Sequence, residues 1–177
     1  GRTGQFSVFP FPIRELQGKV MGIVGFGALG RGVARVAEAF GMQVRIANRR
    51  GGEREPGRVD LDDLLPAADV LSLHCPLTPA TRGMIGRNEL AAMKPGAVLV
   101  NTARGALVDA AALADALREG RIGGAAIDVL EQEPPVDGSP LLDPSIPNLI
   151  VTPHIAWAAL ESRQRCLDEL AANVQAF

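Results

Sequence analysis

Two imidazoles, His74 and His154, are all the histidine this chain carries, and histidine is the side chain that ordinarily exchanges a proton near neutral pH. Each directly follows an apolar run. His74 comes after Val70–Leu73 in His74-Cys75-Pro76-Leu77-Thr78, and His154 comes after Leu149–Val151 in Thr152-Pro153-His154. Two more apolar runs lead to charged groups. Ala97–Val100 passes into Asn101-Thr102-Ala103-Arg104-Gly105, and Ala125–Val129 carries Asp128 at its end, with Glu131 and Glu133 ahead of Pro134. Brought together, such groups suit oxidation of an alcohol or reduction of a ketone. An imidazole takes or gives the hydroxyl proton, a nearby carboxylate favours the protonated ring, and a guanidinium fork holds a carboxylate or carbonyl. Taken singly, each has an ordinary reading as a strand-end or loop residue. Only their convergence raises them, and spacing does not choose between His74 and His154.

A second constellation binds rather than reacts. The run Val20–Val24 ends in Gly25-Phe26-Gly27-Ala28-Leu29-Gly30 and passes into a helical pattern with Leu29, Val33, Val36, Ala37 and Phe40 on one face, stopping at Gly41. In a G-x-G-x-x-G turn the first glycine makes the turn, the second admits a pyrophosphate and the third lets the helix pack on the strand. The free N–H groups and positive end of the helix would face the phosphates. About 20 residues on, where an acid normally holds the adenosine ribose, Val44–Ala47 leads to Asn48-Arg49-Arg50. Asn48 does not repel a 2′-phosphate, and Arg49 or Arg50 can pair with one, which favours NADP or tolerance of it. Equally, the arginines are solvated and Asn48 bonds the ribose hydroxyls of NAD. Both readings stay open.

The elements that must position these groups alternate. Six apolar runs are separated by helical stretches: the one after Gly30, others near Leu61–Leu65 and Asn88–Met93, and Asp109–Glu119 ending at Gly120. A last helix puts Leu160, Leu167, Leu170, Val174 and Phe177 on one side. This pattern implies an α/β fold, a doubly wound parallel sheet covered on both faces, with ligands beyond the carboxyl ends of the strands. Residues 1–17, rich in Phe, Pro and Gly, read as an arm or linker, and 18–177 as the dinucleotide-binding domain. A net charge of −2 gives no general attraction to nucleic acid or an anionic membrane. No apolar run spans a bilayer and no signal pattern opens the chain. Cys75 and Cys166 have no metal-ligand spacing and read as reduced thiols, so no metal and a cytoplasmic setting are expected.

The segments GIVGFGALG, SLHCPLTPATRGMIG, MKPGAVLVNTARGALVD, GGAAIDVLEQEPP and NLIVTPHIAWAA together resemble the Rossmann-type cofactor domain of the D-isomer-specific 2-hydroxyacid dehydrogenases, over about Gln5 to Phe177. TPHIAWAA and the EPP segment suggest the glycerate dehydrogenase and hydroxypyruvate reductase branch. By this resemblance Arg104 binds substrate, Glu133 is the acidic partner and His154 is the acid/base, in place of His74. It implies that Asp128 bonds the nicotinamide carboxamide, aided by backbone around Thr102 and Ala103. Ala28 and Leu29 would meet the pyrophosphate, Cys75 and Pro76 would lie beside the adenosine, and Ala156 near the nicotinamide. Asn48 departs from the acid usual in the branch. The resemblance further implies NAD(P), a small 2-hydroxy or 2-oxo acid substrate and a homodimer, for which Phe6, Phe9 and Phe11 offer an exchanged arm. It also implies that the family's substrate domain is missing, so the isolated domain is expected to bind coenzyme with little turnover. The other reading is a non-catalytic, dinucleotide-sensing regulator of the same fold.

Overall fold

The computed structural model describes residues 13–177; Phe6, Phe9 and Phe11 lie outside them. Six strands form one sheet: β1 (Val20–Val24), β2 (Gln43–Ile46), β3 (Val70–Leu73), β4 (Val98–Asn101), β5 (Gly124–Ile127) and β6 (Leu149–Val151). Their order is β2-β1-β3-β4-β5-β6 and every pairing is parallel. The chain winds outward from β1 to β2, then crosses back to β3 on the other side of β1. That reversal opens a crevice at the carboxyl ends of β1 and β3, where doubly wound sheets take their ligands. Just past β2 an isolated parallel bridge joins Ala47 to Val59.

Among the described residues four α-helices lie between strands, α1 (Ala28–Ala39), α2 (Leu61–Leu64), α3 (Arg87–Ala92) and α4 (Ala110–Arg118), and α5 (Leu160–Ala176) follows β6. α4 shows how local chemistry and packing agree. The Asp109 carboxylate accepts the Ala112 N–H at 2.9 Å as an N-cap, worth about 1 kcal/mol. The helix then buries Ala112, Leu113, Ala114, Ala116 and Leu117 in a cluster with Leu71, Leu73, Leu99 and Ile127 of the sheet. Each fully buried leucine stabilises the fold by about 1.5–3 kcal/mol.

The opposite face is thinner. There α1 packs on β1 and β2, but only partly through the apolar stripe of its sequence, of which Ala37 is buried and Val33 half-buried. Leu29, Val36 and Phe40 are 58–74% exposed, and the buried residues are Gly30, Ala34 and Ala37. The reason is proximity: a Cβ on Gly30 would lie 2.2 Å from the Gly25 carbonyl oxygen and 3.3 Å from Ile23 Cγ2. A helix seated that closely admits only small side chains, so its large ones turn outward. The doubly wound parallel sheet with flanking helices is as the strand pattern predicts, with thinner cover on this side. Ile150 of β6 is 64% exposed, and α5 buries none of its residues.

Candidate active site

The turn after β1 is fixed by backbone crowding. Gly25 has φ +96°, in the region open to glycine, and a Cβ there would sit 2.5 Å from the Cys75 nitrogen. Gly27, the N-cap of α1, meets nothing within 4 Å at its Cβ position and contributes no side-chain cap. The opening N–H groups of α1, at Ala28, Leu29 and Gly30, therefore face outward beside a glycine that leaves room for an anion. Helix geometry leaves such groups without intrahelical partners, and their dipole favours negative charge. The turn fits a diphosphate.

It forms one wall of a cleft of about 1030 Å³ at the carboxyl ends of β1, β2 and β3, which is also lined by Asn48, Arg49, Arg50, His74, Cys75 and Pro76. His74 is held by Ser72, whose hydroxyl lies 2.9 Å from its Nε2. Burial pushes the His74 pKa below the ordinary value, so the ring is a neutral wall group. Burial likewise raises the Cys75 thiol, against reactivity as a thiolate. Asn48 is committed to its own chain: its amide donates to Asp60 Oδ1 at 2.9 Å and its oxygen accepts the Glu55 N–H at 3.1 Å.

Along the same rim, the exits of β4, β5 and β6 carry the second constellation. Asn101, 1% exposed, braces the β4 exit. Its amide donates to the Arg104 carbonyl at 2.9 Å and its oxygen accepts the Ala103 N–H at 3.1 Å. Gly105 lets this loop touch the next, since a Cβ there would meet the Leu130 carbonyl carbon at 2.0 Å. Arg104 is exposed and donates to the Ala103 carbonyl at 2.6 Å.

Asp128 organises the segment beyond β6. Its carboxylate accepts the Thr152 hydroxyl at 2.5 Å and the N–H groups of Ile155 and Ala156 at 2.9 and 2.8 Å. Its carbonyl accepts the His154 N–H at 2.8 Å. Burial acts to raise the Asp128 carboxyl, but these donors and the nearby His154 charge outweigh it and hold it below the ordinary range. The clamp maintains His154 at φ 54°, a left-handed conformation that costs a non-glycine residue about 1–3 kcal/mol. So held, His154 Nδ1 lies 2.7 Å from Glu133 Oε2. Glu133 also accepts the Leu130 N–H at 2.8 Å. Burial acts to raise the Glu133 carboxyl; the His154 and Leu130 bonds outweigh it and hold it low.

Two groupings thus emerge from the residues singled out in the sequence. Gly25, Gly27, Asn48, Arg49, Arg50, Cys75 and Pro76 line the cleft, with Ala28, Leu29 and Gly30 opening α1 beside it. Asp128, Glu133, His154 and Ala156 form one hydrogen-bonded unit; Thr102 and Arg104 stand on the neighbouring loop and make no hydrogen bond to it. Sequence reasoning passed over Asn101, Thr152, Arg54 and Asp60. A polar residue closing an apolar run was the available sign for Asn101, and an aspartate just before Leu61-Asp62-Asp63-Leu64 the one for Asp60. Nothing local marked Thr152 or Arg54. Among the described residues no helix is long and apolar enough to cross a membrane.

The sequence profile of the D-isomer specific 2-hydroxyacid dehydrogenase NAD binding domain matches residues 2–156. A glycerate dehydrogenase from Methylorubrum extorquens is 51% identical over 176 residues, 99% of this chain and 55% of that protein. Among solved structures, a glyoxylate reductase from Paecilomyes thermophila superposes with a TM-score of 0.80 at 40% identity, over 92% of this chain and 50% of that one. An acyclic imino acid reductase in complex with NADPH and D-Arg gives 0.81 at 34% identity, over 98% and 55%. The chain spans about half the length of the curated relatives it matches. The sheet, the glycine turn and these likenesses agree, and the chain belongs to the D-isomer specific 2-hydroxyacid dehydrogenase family, as its NAD-binding Rossmann-type domain.

Proposed function

We propose that this domain, working with a substrate-binding domain, serves hydride transfer between a nicotinamide coenzyme and C2 of a small 2-hydroxy or 2-oxo acid. Glycerate with hydroxypyruvate, or glyoxylate, are the substrates favoured by the names of its relatives. The observation that carries the reading is the 2.7 Å pair of His154 and Glu133, on the same sheet rim as an uncapped helix behind a glycine turn. When bound, the nicotinamide supplies the hydride donor or acceptor. The α1 N–H groups at Ala28, Leu29 and Gly30 hold the diphosphate, Cys75 and Pro76 flank the adenosine, and Asp128, with Thr102, Ala103 and Ala156 nearby, orients the carboxamide. Arg104, with an exposed fork, grips the substrate carboxylate or carbonyl. His154 gives its proton to the carbonyl oxygen during reduction and takes it back during oxidation. Glu133 fixes the ring through Nδ1 and leaves Nε2 for the substrate.

Coenzyme choice in this reading tolerates NADP, because Arg49 and Arg50 line the cleft and have no carboxylate partner among the described residues. In this reading the working protein is a homodimer, and the domain alone binds coenzyme with little turnover, since an open cleft leaves water in and substrate unplaced. Calorimetric titration with NADH and NADPH, followed by turnover of hydroxypyruvate and glyoxylate in a protein carrying both domains, tests the reading. Binding of either coenzyme with reduction of either acid is expected. Coenzyme binding without turnover of any 2-oxo acid by the two-domain protein would make the domain a dinucleotide sensor instead.

A further inference from the structure

Four arginines, Arg49, Arg50, Arg54 and Arg58, line the cleft beyond β2, and their situations differ. Arg58 is committed: it pairs with Glu55 at 2.7 Å, and its guanidinium carbon stands 5.9 Å from the centroid of the Phe26 ring in the glycine turn. Arg54 is paired with Asp60. That carboxylate is the shared element, because its other oxygen accepts the Asn48 amide at 2.9 Å. Asp60 opens α2 yet caps nothing with its side chain, so helix capping does not explain it. It lines the same cleft as Asn48 and Arg54. The acid missing from position 48 therefore stands one hydrogen bond away, delivered by a different loop and already neutralised by an arginine.

We propose that Asp60 and Arg54 form an exchangeable charge couple that sets coenzyme choice at the adenosine ribose, an inference that rests on the dinucleotide reading of the cleft. With a 2′-hydroxyl coenzyme the couple stays closed: Asp60 keeps Arg54 and Asn48, and no uncompensated charge faces the ribose. A 2′-phosphate brings negative charge to the same place. It competes with Asp60 for Arg54, with which it can form a forked, charge-assisted pair, and Asp60 is then left beside a like charge. Arg49 and Arg50 attract the phosphate, whereas Asp60 opposes it, and the preference is their balance. Asp60 is thus a selectivity residue that acts against NADP, and Arg54 is the counter-charge that makes NADP tolerable.

The two substitutions Asp60→Asn and Arg54→Gln test this by calorimetry with NADH and NADPH, at low and at physiological salt. Asp60→Asn keeps an acceptor for Asn48, and the Arg54 side chain is 81% exposed, so both variants should fold; thermal melting checks it. Asp60→Asn is expected to tighten NADPH relative to NADH by tenfold or more, equivalent to about 1.4 kcal/mol, with a steeper loss of NADPH affinity as salt rises. Arg54→Gln is expected to weaken NADPH by a similar factor and leave NADH within about twofold. Opposite movements of the ratio in the two variants support the couple, and any other pattern in variants that still bind coenzyme overturns it. A wild-type chain that binds neither coenzyme overturns the dinucleotide reading itself.

Discussion

The two ends of the rim are built by different physics. At the β1 end, position is enforced by backbone crowding: Gly25 and Gly30 exist because any side chain would occupy the space of the Cys75 nitrogen or the Gly25 carbonyl. Of the charges around that end, Arg54 pairs with Asp60 and Arg58 with Glu55, while Arg49 and Arg50 have no carboxylate partner among the described residues. At the β6 end, position is enforced by hydrogen bonds to a single carboxylate, Asp128, 4% exposed, which collects a hydroxyl and two N–H groups from residues 24 to 28 positions away. A diphosphate asks for a rigid concavity of N–H groups, which crowding supplies. In the proposed reading a proton-exchanging histidine asks for an aimed side chain, which a hydrogen-bonded clamp would supply.

If that division is right, the largest effect should come from the aimed group. His154→Ala in a protein carrying both domains should lower turnover by about 10² to 10⁴, the ordinary worth of general acid–base catalysis, while NADH affinity measured by calorimetry stays within a few-fold. Turnover near the wild-type level would remove His154 from the chemistry and with it the functional half of the contrast.

A pair of glycine substitutions separates ligand space from packing space at the crowded end. Gly30→Ala forces backbone to move and should destabilise the domain by about 1–3 kcal/mol or more in urea unfolding. Gly27→Ala meets no protein atom within 4 Å and should change stability by no more than about 0.5 kcal/mol. It should nonetheless weaken both coenzymes, because its methyl group would point where the diphosphate belongs. Equal loss of stability in the two variants would contradict the geometry; unchanged coenzyme binding in Gly27→Ala would move the diphosphate elsewhere.

These differences explain what could be read from the residues and what could not. Crowding writes itself locally, so Gly25, Gly27 and Gly30 at fixed spacing were legible, as were the strands: Val20–Val24, Val70–Leu73 and Leu149–Val151 fall on their expected bounds and the others within a residue or two. The clamp is written across distance. Nothing in the spacing of Asp128, Glu133 and His154 says that they meet, and two histidines at strand exits were equivalent until family likeness chose one. Packing misled where size and burial part company: the large residues of α1 read as its apolar face, yet close approach to the sheet admits only Gly30, Ala34 and Ala37. The Asp60–Arg54 couple was invisible for a related reason, since the loop that closes it has no periodicity.

The clamp itself has a measurable strength. Asp128→Ala leaves Thr152, Ile155 and Ala156 to water and should cost about 1.5–3 kcal/mol, the range for hydrogen bonds to a charged group. Asp128→Asn keeps one acceptor and should cost less. The sign of the pH effect comes from carboxyls held low in the fold. At Asp128 and Glu133 the unfolded chain binds more protons as pH falls through the ordinary carboxylate range near 4. Their contribution is therefore fully present above that range and is lost as pH falls through the lowered folded values. Either neutral variant should flatten the acid side of the stability curve. A curve unchanged below pH 5 would mean that the clamp carries no charge.

The smallest effect belongs to the other histidine, and it tests whether the two imidazoles truly differ in kind. His74 is neutral in the fold because burial lowers its pKa, whereas the unfolded chain takes up a proton as pH falls through about 6.5. Over that window the unfolded state binds more protons, so stability rises with pH. The penalty begins as acidity passes the ordinary value and levels off below the lowered folded one. His74→Gln keeps a polar atom near the Ser72 hydroxyl and removes the titration. Urea midpoints between pH 7.5 and 5.5 should then vary less than in the wild type, with stability at pH 8 within about 0.5 kcal/mol. Turnover in the two-domain protein should change by roughly twofold at most, since the ring takes no part in the proton transfer. A loss approaching that of His154→Ala would make the β3 exit part of the chemistry and dissolve the distinction between a wall that shapes the cleft and a clamp that aims a proton.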